Sequence, residues 1–194
     1  MTPPTPTPPT STPTPVLERL EALLREQGGL VASLLADEGA SPASPNGAGP
    51  AQIAASGPRA RAQGAEYELL LEAIYEGYLL HYSAPRILHP PEADLGLLAG
   101  DRLYALGLAR LVGLGDVAAV AELADVITLT ALAQGAGEAE LAQAVWSAGA
   151  RAVGWGSSDA HRRAKALARA GSPEALEAMR AAAEVPVSNE LRAD

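Results

Sequence analysis

The 194-residue chain predicts an all-α protein, a single helical bundle of about six to seven helices behind a disordered Pro/Thr-rich N-terminus. Three observations carry that prediction. Apolar residues recur at three- and four-residue spacing along most of the chain, Gly and Pro clusters punctuate these stretches, and alternating Val/Ile/Thr/aromatic runs joined by hairpin turns are missing. No 30-to-50-residue unit repeats, which argues against a solenoid.

Residues 1 to 15, MTPPTPTPPTSTPTP, cannot bury apolar area and lack backbone donors at every proline, so they predict a polyproline-like tail that serves as a spacer. Thr14-Pro15 is a cap followed by Pro at the first helical position, and Val16, Leu17, Leu20, Leu23 and Leu24 share one face of the helix that follows. Gly28-Gly29 interrupts that helix before LVASLLA carries the apolar face to about Ala36. DEGASPASPNGAGP has linker composition, a weak helical turn is expected at AQIAAS before Gly57-Pro58 stops it, and a flexible linker is expected near 37–60.

The best-defined helix runs from about Arg61 to Ser83, with Tyr67, Leu70, Leu71, Ile74, Tyr75, Tyr78 and Tyr82 on one broad face, and it is expected at the centre of the bundle. Pro85 ends it. The next helix spans about Pro91 to Leu111, with Glu92 and Asp94 suited to its first turn. Asp116 caps VAAVAELADVITLTALAQ, GAG at 135–137 breaks the chain before EAELAQAVWSAGARAVG, and a short helix follows from Asp159 to Ala170. Ser172-Pro173-Glu174 opens a last helix that Pro186 ends, leaving 187–194 frayed.

With 48% hydrophobic residues the chain has material for one core, placed at residues 16–186. Aromatics are 4% and Phe is absent, so the helices must approach closely over small and medium side chains. Lys165 is the only lysine among fourteen basic residues, a bias we read as codon usage. The net charge of -9 argues against nucleic acid as a partner, because neutralising phosphates takes a basic patch. Arg162, Arg163, Lys165 and Arg169 are the one basic cluster, and four such charges on a short helix predict a solvated face or partners for the acidic surface. No cysteine means no disulfide, thiolate or Cys-ligated metal and suits a reducing cytoplasm, and neither a transmembrane run nor a signal peptide is evident. Cytoplasmic location is the expectation.

His81, His89 and His161 are too scattered for a metal site, although His81 with Glu76, or His89 with Asp94, could converge in space. The segments GLGD and GAGE follow helices rather than strands, which makes them helix punctuation and not phosphate loops. Ser157-Ser158 sits where a helix cap is wanted rather than at a nucleophile elbow. No cofactor is implied.

One stretch carries a resemblance: EAIYEGYLLHYSAPRILHPPEADLGLLAGDRLYALGLARLVGLGD followed by VAAVAELADVITLTALAQG. Leu98-Ala99-Gly100-Asp101 with Leu103 and Ala105, and Asp125-Val126-Ile127 in the next helix, make residues 65 to 135 resemble the trans-isoprenyl diphosphate synthase family. Where that family has paired aspartates to hold magnesium against an allylic diphosphate, this chain has Glu76-Gly77 beside tyrosines, and no second Asp-rich motif follows. The family's Arg-Arg-Gly stretch is reduced to Arg86. Diphosphate ionisation needs two or three divalent ions fixed by several carboxylates. The resemblance therefore implies a degenerate relative, similar to the non-catalytic subunit of two-component heptaprenyl diphosphate synthases, which works beside a catalytic chain.

Tyr75, Tyr78 and Tyr82 are first of all packing residues, and on this resemblance a prenyl-sized groove is their second role. Asp101 is expected to bond to neighbouring backbone or an arginine, with Arg102 nearest in the chain. The candidate ligand or interface residues are Tyr75, Glu76, Tyr78, Tyr82, Arg86 and Asp101, with no catalytic or metal residue among them. The leading expectation is a non-catalytic partner subunit that associates through apolar helix faces with itself or another protein, an isoprenoid ligand being possible in principle. The alternatives are an unrelated scaffold or regulatory module and, last, a divergent prenyl-transferring enzyme.

Overall fold

The computed structural model describes residues 15–35 and 49–184, and these form nine α-helices with one 3-10 turn. They are α1 (Pro15–Gln27), α2 (Gly29–Ser33), α3 (Pro50–Ser56), α4 (Gly64–Tyr82), α5 (Ala93–Gly113), α6 (Val117–Gly135), α7 (Ala139–Trp155), α8 (Asp159–Arg169) and α9 (Ala175–Glu184). The expected all-α class holds among the described residues, where the only β feature is an isolated bridge between Leu35 and Leu88. Of the Pro/Thr tail only Pro15 is described, as the first residue of α1, and residues 1–14, 36–48 and 185–194 lie outside the described residues.

The helix count exceeds the expected six to seven for two local reasons. Gly28 and Gly29 both take positive φ, 66° and 65°, a conformation that only glycine adopts freely, so α2 separates from α1. The stretch AQIAAS, within the expected linker, is the two-turn helix α3. Its small residues serve a contact: a Cβ added at Gly57 would come within 2.4 Å of the Gly154 backbone, and one at Gly154 within 2.5 Å of the Ala54 carbonyl oxygen. Composition that resembles a linker is here what lets α3 lie backbone-to-backbone on α7.

Helix α4 is central, as its sequence predicts, because eleven of its nineteen residues are buried on all sides. One side, with Leu69 and Ala73, meets Leu17, Leu20 and Leu24 of α1, Ala99, Leu103 and Leu106 of α5, and Ile87 and Leu88 of the following loop. The other side, with Tyr67, Leu70, Leu71, Ile74 and Tyr78, belongs to a larger core cluster that also holds Leu123 and Val126 of α6, Val145, Trp146 and Val153 of α7, and Met179 of α9. Burial of these aliphatic side chains, at about 1.5–3 kcal/mol each, is the main force holding the helices together.

Helix α5 crosses α4 at unusually short range. A Cβ on Gly77 would lie 3.0 Å from the Gly100 carbonyl oxygen, one on Gly100 2.5 Å from the His81 ring, and one on Gly107 2.4 Å from Ile74. Gly100 and Ala99 of the Leu-Ala-Gly-Asp stretch are thus both buried in the α4–α5 contact.

Helix α6 is long and apolar enough to cross a membrane by length and composition, with mean hydropathy 1.5, and 39% of it is buried. Its two charged residues, Glu122 and Asp125, are both paired with residues of α8.

Candidate functional site

The residues that sequence reading singles out on α4 and its following loop do converge. Glu72, Tyr75, Glu76 and Tyr78 stand on successive turns of α4, and the chain bends after the helix, at Ser83, so that Arg86 faces Glu72, Tyr75 and Glu76. The Glu76 side chain, fully buried, accepts hydrogen bonds at Oε1 from the backbone N–H of Arg86 (2.7 Å) and of Ile87 (2.9 Å), and at Oε2 from the Arg86 Nε (3.0 Å). The Arg86 Nη1 donates to Glu72, and its guanidinium carbon lies 5.2 Å from the centre of the Tyr75 ring. The guanidinium is therefore sandwiched between two carboxylates and an aromatic face.

Burial pushes the Glu72 carboxyl above the ordinary carboxylate range, against the pull of Arg86. Burial also acts to lower the Arg86 pKa, but the two carboxylates outweigh it and raise it. One cation serves two buried acids. The arrangement fastens the loop after α4 to the helix itself, so Glu76 and Arg86 are occupied with each other and with backbone.

Beside this cluster runs an aromatic row. The Tyr75 and Trp146 rings meet edge-on with centroids 5.0 Å apart, Tyr78 lies 5.6 Å from Trp146, and Tyr82 lies 5.4 Å from Tyr78. Continuing toward α5, His81 stacks on Tyr104 at 5.3 Å. Gln134 at the end of α6 donates from Nε2 to the Tyr78 hydroxyl at 2.6 Å. Burial raises the pKa of both Tyr75 and Tyr104, which keeps these hydroxyls neutral. The tyrosines thus pack α4 against α5, α6 and α7, with Tyr82 the one left most open at 40% exposure.

Asp101 stands apart from the Glu76–Arg86 cluster. Its side chain is 70% exposed and approaches the His81 Nε2 at 3.3 Å. His81 therefore neighbours Asp101, not the buried Glu76, and Arg102 reaches toward Gln27 at 3.4 Å instead of pairing with Asp101.

A second buried ionic cluster was not apparent from sequence. Glu122 of α6 receives the His161 Nε2 at 2.6 Å and the Lys165 Nζ at 2.7 Å, while Asp125 receives Lys165 at 2.8 Å and also pairs with Arg169. Burial acts to raise both carboxyls, yet the hydrogen bonds from His161 and Lys165 lower Glu122 and those from Lys165 and Arg169 lower Asp125. Glu122 is therefore an acceptor and the His161 Nε2 its donor, which leaves the buried His161 Nδ1 without a partner. The signal lay in the spacing: 122 and 125 share a face of α6, and 161, 165 and 169 recur every fourth residue along α8. Of the basic group, Lys165 and Arg169 thus pair with acids, and Arg162 pairs with Asp159.

Asp116 caps α6 as its sequence predicts, accepting the Ala119 N–H at 3.0 Å, and it also takes the Tyr67 hydroxyl at 2.7 Å and the Arg59 Nη2 at 3.0 Å. Among the described residues no group of three or more His, Asp or Glu is placed to hold a metal ion. A cleft of about 530 Å³ opens beside the turns that precede α7 and α9, with Glu138, Leu141, Pro173 and Leu176 in its walls, and none of the candidate ligand or interface residues lines it. Compared with known proteins, the chain matches no family model, no curated protein and no solved structure.

Proposed function

We propose that this chain is a non-catalytic helical association subunit, which binds a protein partner through the outward faces of α5 and α6. One observation carries the reading. Seven large apolar side chains are exposed among the described residues, and five of them, Leu97, Leu98, Val112, Val117 and Leu132, belong to these two consecutive helices. Scattered exposed apolar residues need no explanation, but a concentration on adjoining elements marks interaction surfaces.

The inward pairing of Glu122 and Asp125 supports the same reading, since it leaves Val117, Ala118, Ala121, Ala124, Thr128 and Leu132 as an exposed face of α6 without a charge. The commitment of Glu72 and Glu76 to Arg86 supports the non-catalytic part, because neither acid is free to bind a cation. The Leu98-to-Asp101 resemblance supports a partner of the isoprenyl diphosphate synthase kind only weakly, given that Ala99 and Gly100 already serve the α4–α5 contact.

A photo-reactive phenylalanine analogue at Val112 or Val117, in protein expressed in its native cells, tests the reading. Illumination should give a discrete protein adduct at both positions and none with the same probe at Arg163 on α8. Absence of any adduct at Val112 and Val117 would sink it. Product formed by the purified chain from an allylic diphosphate, isopentenyl diphosphate and magnesium would overturn the non-catalytic half.

A further inference from the structure

Helix α6 combines three properties. With nineteen residues it is about 28 Å long, close to the roughly 30 Å hydrocarbon thickness of a bilayer, and its mean hydropathy is 1.5. Its only ionisable residues, Glu122 and Asp125, are both carboxylic acids and stand near its middle. Its outward face, with Val117, Ala121, Ala124, Thr128 and Leu132, carries no charge and is already exposed.

Both acids are bound up with α8. Glu122 faces His161 and Lys165, and Asp125 faces Lys165 and Arg169. From the other side α7 meets Glu122 with Gly149, where an added Cβ would lie 4.0 Å from the Glu122 Oε1. Apart from His161 and Lys165, the buried residues of α8 are only Ala164 and Ala168. Gly156 and Gly171, both at positive φ, bound this helix. Charge therefore holds α8 to α6, whereas larger aliphatic side chains hold the other long helices together. Protonation of both carboxyls leaves Lys165 and Arg169 without counter-charges, and it removes every charge from α6 in the same event.

We propose that acidification unfastens α6 from α8 and that α6 then enters a lipid bilayer. An ionised carboxylate is costly in hydrocarbon and a neutral one far less so, which makes the freed helix compatible with lipid just when its ion pairs are lost. Leu123, Val126 and Leu129, buried in the folded core, exchange one apolar surrounding for another on entering acyl chains. Water offers them no such exchange. The overall charge of -9 keeps the chain away from anionic membrane surfaces at neutral pH, and its isoelectric point of about 4.8 removes that repulsion over the range in which carboxylates protonate. The inference stands apart from the association reading, which concerns the folded chain at neutral pH.

The absence of cysteine from the chain allows a single probe to be placed at will. In the full chain, Thr128→Cys labelled with an environment-sensitive fluorophore and mixed with phosphatidylcholine vesicles should give an aqueous spectrum at about pH 7. By about pH 4 the spectrum should be blue-shifted and quenched by nitroxides on the lipid acyl chains. The same label on Arg163→Cys, on α8, should stay in water. Ala124→Arg, an exposed position on the side of α6 away from the acids, adds a charge that acid cannot remove. It should cut the quenched fraction at least about tenfold, with circular dichroism at pH 7 showing the helices intact. Asp125→Asn should move the midpoint toward neutral pH. A Thr128 probe that stays aqueous down to about pH 4, or that shifts equally without vesicles, would overturn the proposal, as would undiminished quenching in Ala124→Arg. Photo-adducts at Val112 and Val117 would still decide the association reading by themselves.

Discussion

The buried carboxylate of Glu76 holds Arg86, ten residues further along the chain, by its backbone N–H and its Nε together, so a single side chain of α4 fixes both the path of the next loop and the place of its cation. A charge in that position is expensive to strand. Glu76→Ala removes the acceptor for two backbone N–H groups and for the guanidinium, and should cost about 3–5 kcal/mol. Glu76→Gln, which can still accept from the backbone, should cost about 1.5–3 kcal/mol. Urea denaturation of the two variants checks this, and equal losses would show that the charge contributes nothing.

The α6–α8 cluster predicts an acid-sensitive contact. The folded pKa values of Glu122 and Asp125 lie below their ordinary values, so their stabilisation is complete above the ordinary carboxylate range and is lost as pH falls through the folded values. Glu72 has the opposite sign: burial raises its pKa, so its ionisation opposes folding as pH rises from its ordinary value through the folded one. Lys165→Met isolates the first effect, since it removes the shared donor of Glu122 and Asp125 and leaves Glu72 untouched. Stability followed from pH 7 down to about pH 3 should fall less steeply in Lys165→Met than in the parent chain. Parallel curves would refute the linkage.

Two glycines of α5 should respond oppositely to the same substitution. Gly100→Ala places a methyl 2.5 Å from the His81 ring and 3.0 Å from the Gly77 carbonyl oxygen, an overpacking expected to cost about 1–3 kcal/mol. Nothing lies within 4 Å of a Cβ at Gly113, so Gly113→Ala should stabilise by about 0.4–1 kcal/mol through the unfolded chain. Denaturation midpoints that move the same way for both would contradict the close α4–α5 approach.

Tyr67 gives a spectroscopic handle on the cap of α6. Burial, then the hydrogen bond and charge of Asp116, push its phenol up to about 12. In Asp116→Ala the burial remains and the acid's share is lost, so the ultraviolet titration of tyrosinate should show this phenol moving part of the way back toward 10. The same variant should lose about 0.5–2 kcal/mol from the missing cap. An unchanged tyrosine titration would show that Asp116 does not act on Tyr67.

Helix positions were legible because their determinants are local: Asp116 before Val117, Ser158 before Asp159, and glycines with positive φ at 115, 137 and 171 after helix ends. Helix α3 is legible only as a weak turn at AQIAAS, since Ala51, Ala54 and Gly57 signal a linker by composition, and its close packing on α7 is not encoded locally. The candidate site divides the same way. Tyr75, Glu76 and Arg86 stand out by residue type and do converge, but whether an acid and a base ten residues apart form a site or a fastening depends on the path of the loop after α4, which side-chain types do not encode. Glu122 and His161 lie 39 residues apart, and each is unremarkable until α6 and α8 are set face to face.

Lys165, the chain's sole lysine, is 9% exposed beneath Glu122 and Asp125. Amine-directed reagents consequently meet no accessible lysine on the folded domain, and acylation of Lys165 must wait for α8 to lift away from α6. The rate at which that amine becomes labelled is a built-in clock for the opening of the two helices.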